Sequence, residues 1–308
     1  MFWKAQRCYV DIVLLRILSA IVLLCILSAI VLCSIAVYNF TICETASKNG
    51  LCYLCDETER KRGADEIVST LNDYVKSLPE TVSSITSFSD TCAEQNRNRF
   101  VCAAMLYAVQ ATHVATIDLK YMESGNSYLE ADSIHSTIEK SKRHQKIYTT
   151  HEWEILIAGA RKKDRPYTVK RMMHDNFCNF KLLCSQIICN RTRNTNGEKV
   201  NWLKIKWLRL EKSRPFIIQY KNSLLSDAFM EINVHNQRGR RISLDCLILQ
   251  PAYQSRLPIS AAKRKDLTQP VKSRVIPPDY SSWYNNLPAD NKVPDNLPKQ
   301  ENDENESE

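Results

Sequence analysis

Three acids and a histidine in the first half of the chain have the spacing of a metal site. Asp90 follows the short apolar run Val82–Phe88, and Glu130 and Asp132 follow a second run, Ile117–Met122. His135 stands three residues after Asp132, so on a helix the two share a face, which Glu139 continues. Carboxylates placed past the ends of two neighbouring strands hold a hard cation such as Mg²⁺, which takes carboxylate oxygens and keeps several waters. Phosphoryl chemistry with two cations about 3.5–4 Å apart needs several such groups. His135 would then orient the acids or carry a proton. Glu130 and Asp132 suit equally well the solvated first turn of a helix, where the dipole favours negative charge. Spacing alone leaves both readings open.

The elements that must position these residues follow from periodicity. Asp65–Leu78 repeats apolar residues at helical spacing (Ile67, Leu71, Tyr74, Val75, Leu78), and Pro79 stops it. Val82–Phe88 is short and β-branched, so it reads as a strand. Asn98–Thr112 reads as a second helix. In Ile117–Met122 the apolar Ile117, Leu119 and Tyr121 alternate with Asp118 and Lys120, the pattern of a strand with two unlike faces. Ser127–Lys142 reads as a third helix. Strand, helix, strand, helix is the order of an α/β sheet. Trp153–Ala160 is a short helix, and Lys199–Glu211 and Pro215–Lys221 are strands of a hairpin or meander.

Several blocks, in order, carry a resemblance to a known family. They are Cys52–Glu57 (CYLCDE), Arg62–Ile67 (RGADEI), Ser89–Asn98 (SDTCAEQNRN), Gly125–Glu139 (GNSYLEADSIHSTIE), Asp175–Lys181 (DNFCNFK), Asn190–Lys199 (NRTRNTNGEK) and Val275–Leu287 (VIPPDYSSWYNNL). From about residue 38 to 288 the chain resembles the uncharacterised domain of many animal transposon proteins that look like DDE-type transposases. The resemblance implies a partial RNase H-like domain, with Asp90, Asp132 and Glu130 as metal ligands and Asp90, Asp132 and His135 as vestigial catalytic residues. It also marks departures. The family carries an upstream strand with an Asp-Leu-Gln-Gln signature before a Tyr-Asn pair. Here Tyr38-Asn39 is present, but what precedes it differs, so the first acid is missing. The Gly-Gly of the family is Ala93-Glu94, its His is Asn126, and its Trp is Cys55. No cofactor is called for unless the site is intact, in which case it is Mg²⁺.

The net charge of +8 conceals a strong asymmetry. Residues 140–274 hold 29 Lys and Arg against 10 Asp and Glu, whereas Leu287 to the end holds 2 against 7. A basic body attracts phosphate backbones, so weak nonspecific DNA binding by 140–274 is one expectation, and a plain solvated surface the other. Trp202 and Trp207 alternate with Lys204, Lys206 and Arg209. They read either as a nucleic-acid contact or as core tryptophans on strands whose lysines face solvent. Among the 12 cysteines only Cys52-x-x-Cys55 has ligand spacing, and a structural zinc site needs four ligands. Asn39 and Asn190 head glycosylation triplets.

Ile17–Val37 is 21 residues without a charge, about 32 Å as a helix, and reads as a transmembrane segment. Lys4, Arg7 and Arg16 precede it, which places the N-terminus in the cytoplasm in a single-pass arrangement. A cleaved signal with Ser34-Ile35-Ala36 at its end is the other reading. The segment is also a tandem near-duplication, ILSAIVLLC then ILSAIVLC, so it reads as foreign sequence joined to a truncated domain. If it is not inserted, the nucleus becomes the expected location. The resulting organisation is a basic flank (1–16), a membrane helix (17–37), the truncated RNase H-like domain (38–150), a small basic β-rich α+β region (151–287) and a disordered acidic tail (288–308). Three functional classes remain: a catalytically silent transposon-derived protein, an active metal-dependent nuclease or transposase using Asp56 or Glu130 as the third acid, and a single-pass membrane interaction protein.

Overall fold

The computed structural model describes residues 13–24, 35–89, 97–122, 130–225, 228–235, 243–244 and 247–294. Its frame is a nine-stranded mixed sheet in the order β6-β3-β2-β1-β4-β5-β7-β8-β9. The strands β1 (Val13–Leu24), β2 (Ala36–Glu44) and β3 (Asn49–Asp56) form an antiparallel meander. On its other side β1 pairs in parallel with β4 (Ser84–Ser89), which pairs in parallel with β5 (Thr116–Tyr121). The later strands extend the same sheet at both edges. β6 (Thr168–Arg171) lies parallel to β3, while β7 (Trp207–Glu211), β8 (Ile217–Lys221) and β9 (Met230–Asn233) continue antiparallel from β5.

Helices cover the two faces unequally. On one face α1 (Ala64–Ser77), α2 (Arg99–Ala111) and α5 (Phe180–Ile187) pack on one another and on the sheet. Alternate strand residues feed this layer: Tyr38, Phe40 and Ile42, then Ile117 and Leu119, then Leu208 and Leu210, and Ile218 and Tyr220. On the other face α3 (Glu130–Lys142) and α4 (Thr150–Ala160) lie over β1, β2, β3 and β6, with Val37, Cys43, Cys52 and Leu54 beneath Ile134, Ile138 and Trp153. The polar ends of the helices are satisfied locally. Asn98 accepts from the amides of Phe100 and Val101 at 3.0 Å, and Thr149 with Glu152 forms a reciprocal cap on α4. α1 stops at Ser77, because Leu78 must be extended before Pro79.

The helix expected over Ile17–Val37 is corrected. Ile17–Leu24 belong to β1, Ala36 and Val37 open β2, and 25–34 lie outside the described residues. Among the described residues no helix is long and apolar enough to cross a membrane. The physical reason is that a continuous Leu/Ile/Val run serves a central strand as well as a membrane span, since neither has a polar side to show in the sequence. A second correction concerns the tail. Ala289–Asp290 form β11, parallel to β10 (Ile259–Ser260), and the Pro288 carbonyl accepts the Ile259 amide at 3.0 Å. Residues 295–308 lie outside the described residues.

A buried polar clasp holds the C-terminal segment to the end of β3. Glu57 accepts from Lys263 Nζ at 2.7 and 3.0 Å, with both side chains 9% exposed. Glu59 takes the amide of His174 at 2.9 Å and faces Arg256 Nε at 2.9 Å. Arg256 also donates to Thr58 Oγ1 at 2.6 Å. These contacts bring α6 (Ala261–Lys272) and α7 (Ser281–Asn285) against the main body, where Leu267, Tyr284 and Leu287 join the Trp153 cluster.

Candidate functional site

β4 and β5 end side by side. Ser89 pairs with Tyr121, and the Ser89 carbonyl accepts the Met122 amide at 2.9 Å. The two apolar runs that precede the acidic segments in sequence therefore end side by side. Asp90 itself lies outside the described residues, as do Glu94 and Asn126.

α3 carries the other candidates in its first two turns. Glu130 turns toward the end of β2, where Thr45 Oγ1 donates to its Oε2 at 3.3 Å and Cys43 Sγ lies 3.7 Å away. Asp132 is half-buried. His135 is 6% exposed, and neither ring nitrogen has a hydrogen-bond partner. Burial holds its pKa down at about 4, against the opposing pull of Asp132. The imidazole is thus neutral at pH 7, the state in which it accepts a proton or binds a cation. No group of three or more His, Cys, Asp or Glu among the described residues is arranged to hold a metal. Of the two α3 carboxylates, Asp132 is the one whose charge acts on His135, while Glu130 is engaged by Thr45. A Mg²⁺ site here depends on Asp90 to complete it.

Asp56, the alternative third acid, has a different task. It is fully buried, and its carboxylate accepts from the Thr58 amide and hydroxyl at 3.0 and 2.5 Å and from Thr150 Oγ1 at 2.9 Å. It ties β3 to the first turn of α4. The Cys52-x-x-Cys55 pair is also divided. Residues three apart on a strand point to opposite faces, and Cys52 lies in the α3–α4 layer while Cys55 lies in the α1–α2 layer. Burial pushes both thiols up to about 11. Asn39 is fully buried within β2, out of reach of a modifying enzyme.

The sheet beyond α3 presents a cluster that the acidic motif does not include. On β5, Asp118 accepts from Arg209 Nε and Nη2 at 2.8 and 2.9 Å and from Trp207 Nε1 at 2.8 Å. Hydrogen bonding to Asp118 raises the Arg209 pKa further. Lys120 Nζ lies 4.0 Å from the centre of the Trp207 ring, and burial lowers its pKa. Lys221 Nζ lies 4.8 Å from the Trp207 ring centre and 4.3 Å from that of Phe229. The two rings meet edge to face at 5.2 Å and 77°. Of the two readings of Trp207, the core position does not hold: Leu208 and Leu210 are the buried residues of β7, and Trp207 and Arg209 occupy the opposite, half-buried side. The signal was in the sequence: Asp118 and Lys120 alternate with apolar residues on β5, as Trp207 and Arg209 do on β7.

One comparison finds a similarity over about half of the chain. A family model described as a domain of unknown function (DUF7869) matches residues 63–208, from just before α1 into β7. Neither the curated proteins nor the solved structures contain a match.

Proposed function

We propose that the chain is a transposon-derived protein whose RNase H-like, DDE-transposase-like domain has lost catalysis. Its basic 140–274 region keeps a weak, salt-sensitive affinity for DNA. One observation carries the loss: β1 supplies no carboxylate. Its residues Arg16 and Ile17 stand in register with Phe88 and Ser89, directly beside the strand end that leads to Asp90. The twelve residues VLLRILSAIVLL contain one charge, and it is positive. A two-cation site needs carboxylates on several sides to offset four positive charges. The strand paired with β4 carries in its sequence one arginine and otherwise no charged residue. The strand order supports the ancestry. An antiparallel meander whose first strand pairs in parallel with β4, which in turn pairs in parallel with β5, agrees with an RNase H-like sheet, in which the metal ligands lie at neighbouring strand ends.

The test is direct. The full chain is incubated with plasmid and oligonucleotide DNA in Mg²⁺ or Mn²⁺. The expected result is no cleavage and no strand joining, with Asp90→Ala and Asp132→Ala indistinguishable from the parent. Metal-dependent cleavage that each substitution abolishes would restore the active nuclease and overturn the proposal.

A further inference from the structure

The half-buried side of β5, β7 and β8 carries a feature that catalysis, present or lost, does not use. Two aromatic rings and three cations are gathered within one side chain's reach of each other. Lys120 and Lys221 approach the Trp207 ring at 4.0 and 4.8 Å, and Arg209 approaches Trp207 and Phe229 at 5.3 and 4.9 Å. Phe88 flanks Lys120 at 5.5 Å. Among the described residues the helices on this side of the sheet lie over β1–β3 and β6; Trp207, Arg209, Lys120 and Phe229 are half-buried, and Lys221 is buried.

The charges are unequal in their commitments. Arg209 is bound at two points by Asp118. The Lys120 ammonium rests on a ring and makes no ion pair among the described residues. Around it the stretch Lys199–Lys221 contains seven Lys and Arg and a single acid, Glu211. Burial of Lys120 already works against its charge, and the ring quadrupole offsets only part of that cost. An anion placed beside it offsets more.

We propose that this face is a platform for single-stranded nucleic acid, with Lys120 meeting a backbone phosphate and the ring of Phe229, set edge to face against Trp207, meeting a base. The compactness of the cluster selects a flexible strand over a duplex. A duplex presents a rigid row of phosphates and keeps its base faces stacked inside, so it needs charge spread along a surface and has no use for aromatic rings. A single strand brings one or two phosphates and an unstacked base to the same small area. The aromatic pair is held for this by Asp118, whose bond to the Trp207 indole fixes the ring while its bonds to Arg209 fix the neighbouring cation. The inference rests on the proposed nucleic-acid affinity of the basic region and names where that affinity resides; it does not depend on whether the acidic site is active.

The experiment measures fluorescence anisotropy of the full chain with a labelled oligothymidylate of about 20 nucleotides and with a duplex of the same length, each over a range of salt. The expected result is tighter binding of the single strand. Lys120→Gln is expected to weaken it about fivefold or more and to reduce the slope of log affinity against log salt by about 0.7, the contribution of one phosphate contact on a single strand. Phe229→Leu, which keeps apolar volume and removes a ring, is expected to weaken it by a similar factor. Lys272→Gln, on the exposed side of α6, should leave it unchanged. Unfolding curves of each variant verify that the fold persists. Preference for the duplex, or equal losses at Lys120 and Lys272, overturns the platform while leaving a basic DNA-binding region standing. No binding of either probe overturns both.

Discussion

Asp118 and Arg209 face each other across the β5–β7 pair in a two-point ion pair, with Nε and Nη2 at 2.8 and 2.9 Å from the two carboxylate oxygens. The acid is 7% exposed and the arginine 30%. The Trp207 indole donates to the same carboxylate. Asp118 is therefore the common acceptor of three N–H donors on a neighbouring strand, and it fixes the outer face of β7 relative to β5.

Removing it leaves donors without a partner. Asp118→Ala is expected to destabilise the protein by about 3 kcal/mol, because a partly buried guanidinium and an indole N–H lose their acceptor together. Asp118→Asn, which keeps one acceptor, is expected to cost clearly less. Urea midpoints of the two variants check the order. Equal losses would show that the pair contributes little beyond packing.

His135 sets an acid limit. Its pKa falls from 6.5 in the unfolded chain to about 4 in the fold, because burial disfavours the imidazolium. The unfolded chain binds the proton more readily between these values, so stability is complete above about pH 6.5 and declines as pH falls toward 4. Asp132 opposes the shift but does not cancel it. The loss attributable to this one residue reaches about 3 kcal/mol at the bottom of the window. Thermal unfolding between pH 7 and 4 measures it, and His135→Leu should flatten the profile over that range. A profile unchanged by the substitution would assign the acid sensitivity to other groups.

The Glu57–Lys263 pair gives a third prediction. Both side chains are 9% exposed, so removing one partner strands a charge in a poorly solvated place. Lys263→Met is expected to cost about 3 kcal/mol, whereas Lys263→Met combined with Glu57→Gln is expected to recover most of that loss. A double-mutant cycle in urea reads the coupling directly. Additive effects would mean that the clasp is held by Glu59 and Thr58 instead.

How much of this was readable in the sequence depended on whether an element had two unlike sides. α1 and β5 alternate apolar and polar residues at their own periods, and their expected spans agree with the structure to within about two residues. β1 has no polar side, so its sequence suits a membrane helix and a central strand equally, and pairing partners far along the chain decide between them. Trp207 shows the same limit in miniature. An indole can serve the core or an outer face, and its side of the sheet is set by the burial of Leu208 and Leu210 on either side of Arg209. The acidic site was legible as residue types, with Glu130, Asp132 and His135 on one helix, but the involvement of Glu130 with Thr45 and Cys43 required the fold. The clasp at Glu57 and Glu59 joins residues some 200 positions apart and left no local pattern at all.

β1 gives the last prediction. It pairs with β2 over eight positions from Leu15↔Glu44 to Leu24↔Ala36, and with β4 over five, from Val13↔Ile85 to Ile17↔Ser89. A chain that begins at Ile35 would expose both of those strands as bare edges in the middle of the sheet, each with a row of unpaired backbone groups. It is expected to lose cooperative unfolding and to aggregate, whereas a body that merely follows a membrane anchor would fold unaided without the segment. The comparison is made with the full chain by circular dichroism, thermal unfolding and sedimentation. A soluble, cooperatively unfolding 35–308 fragment would remove β1 from the sheet, and with it the argument that the missing carboxylate silences the site.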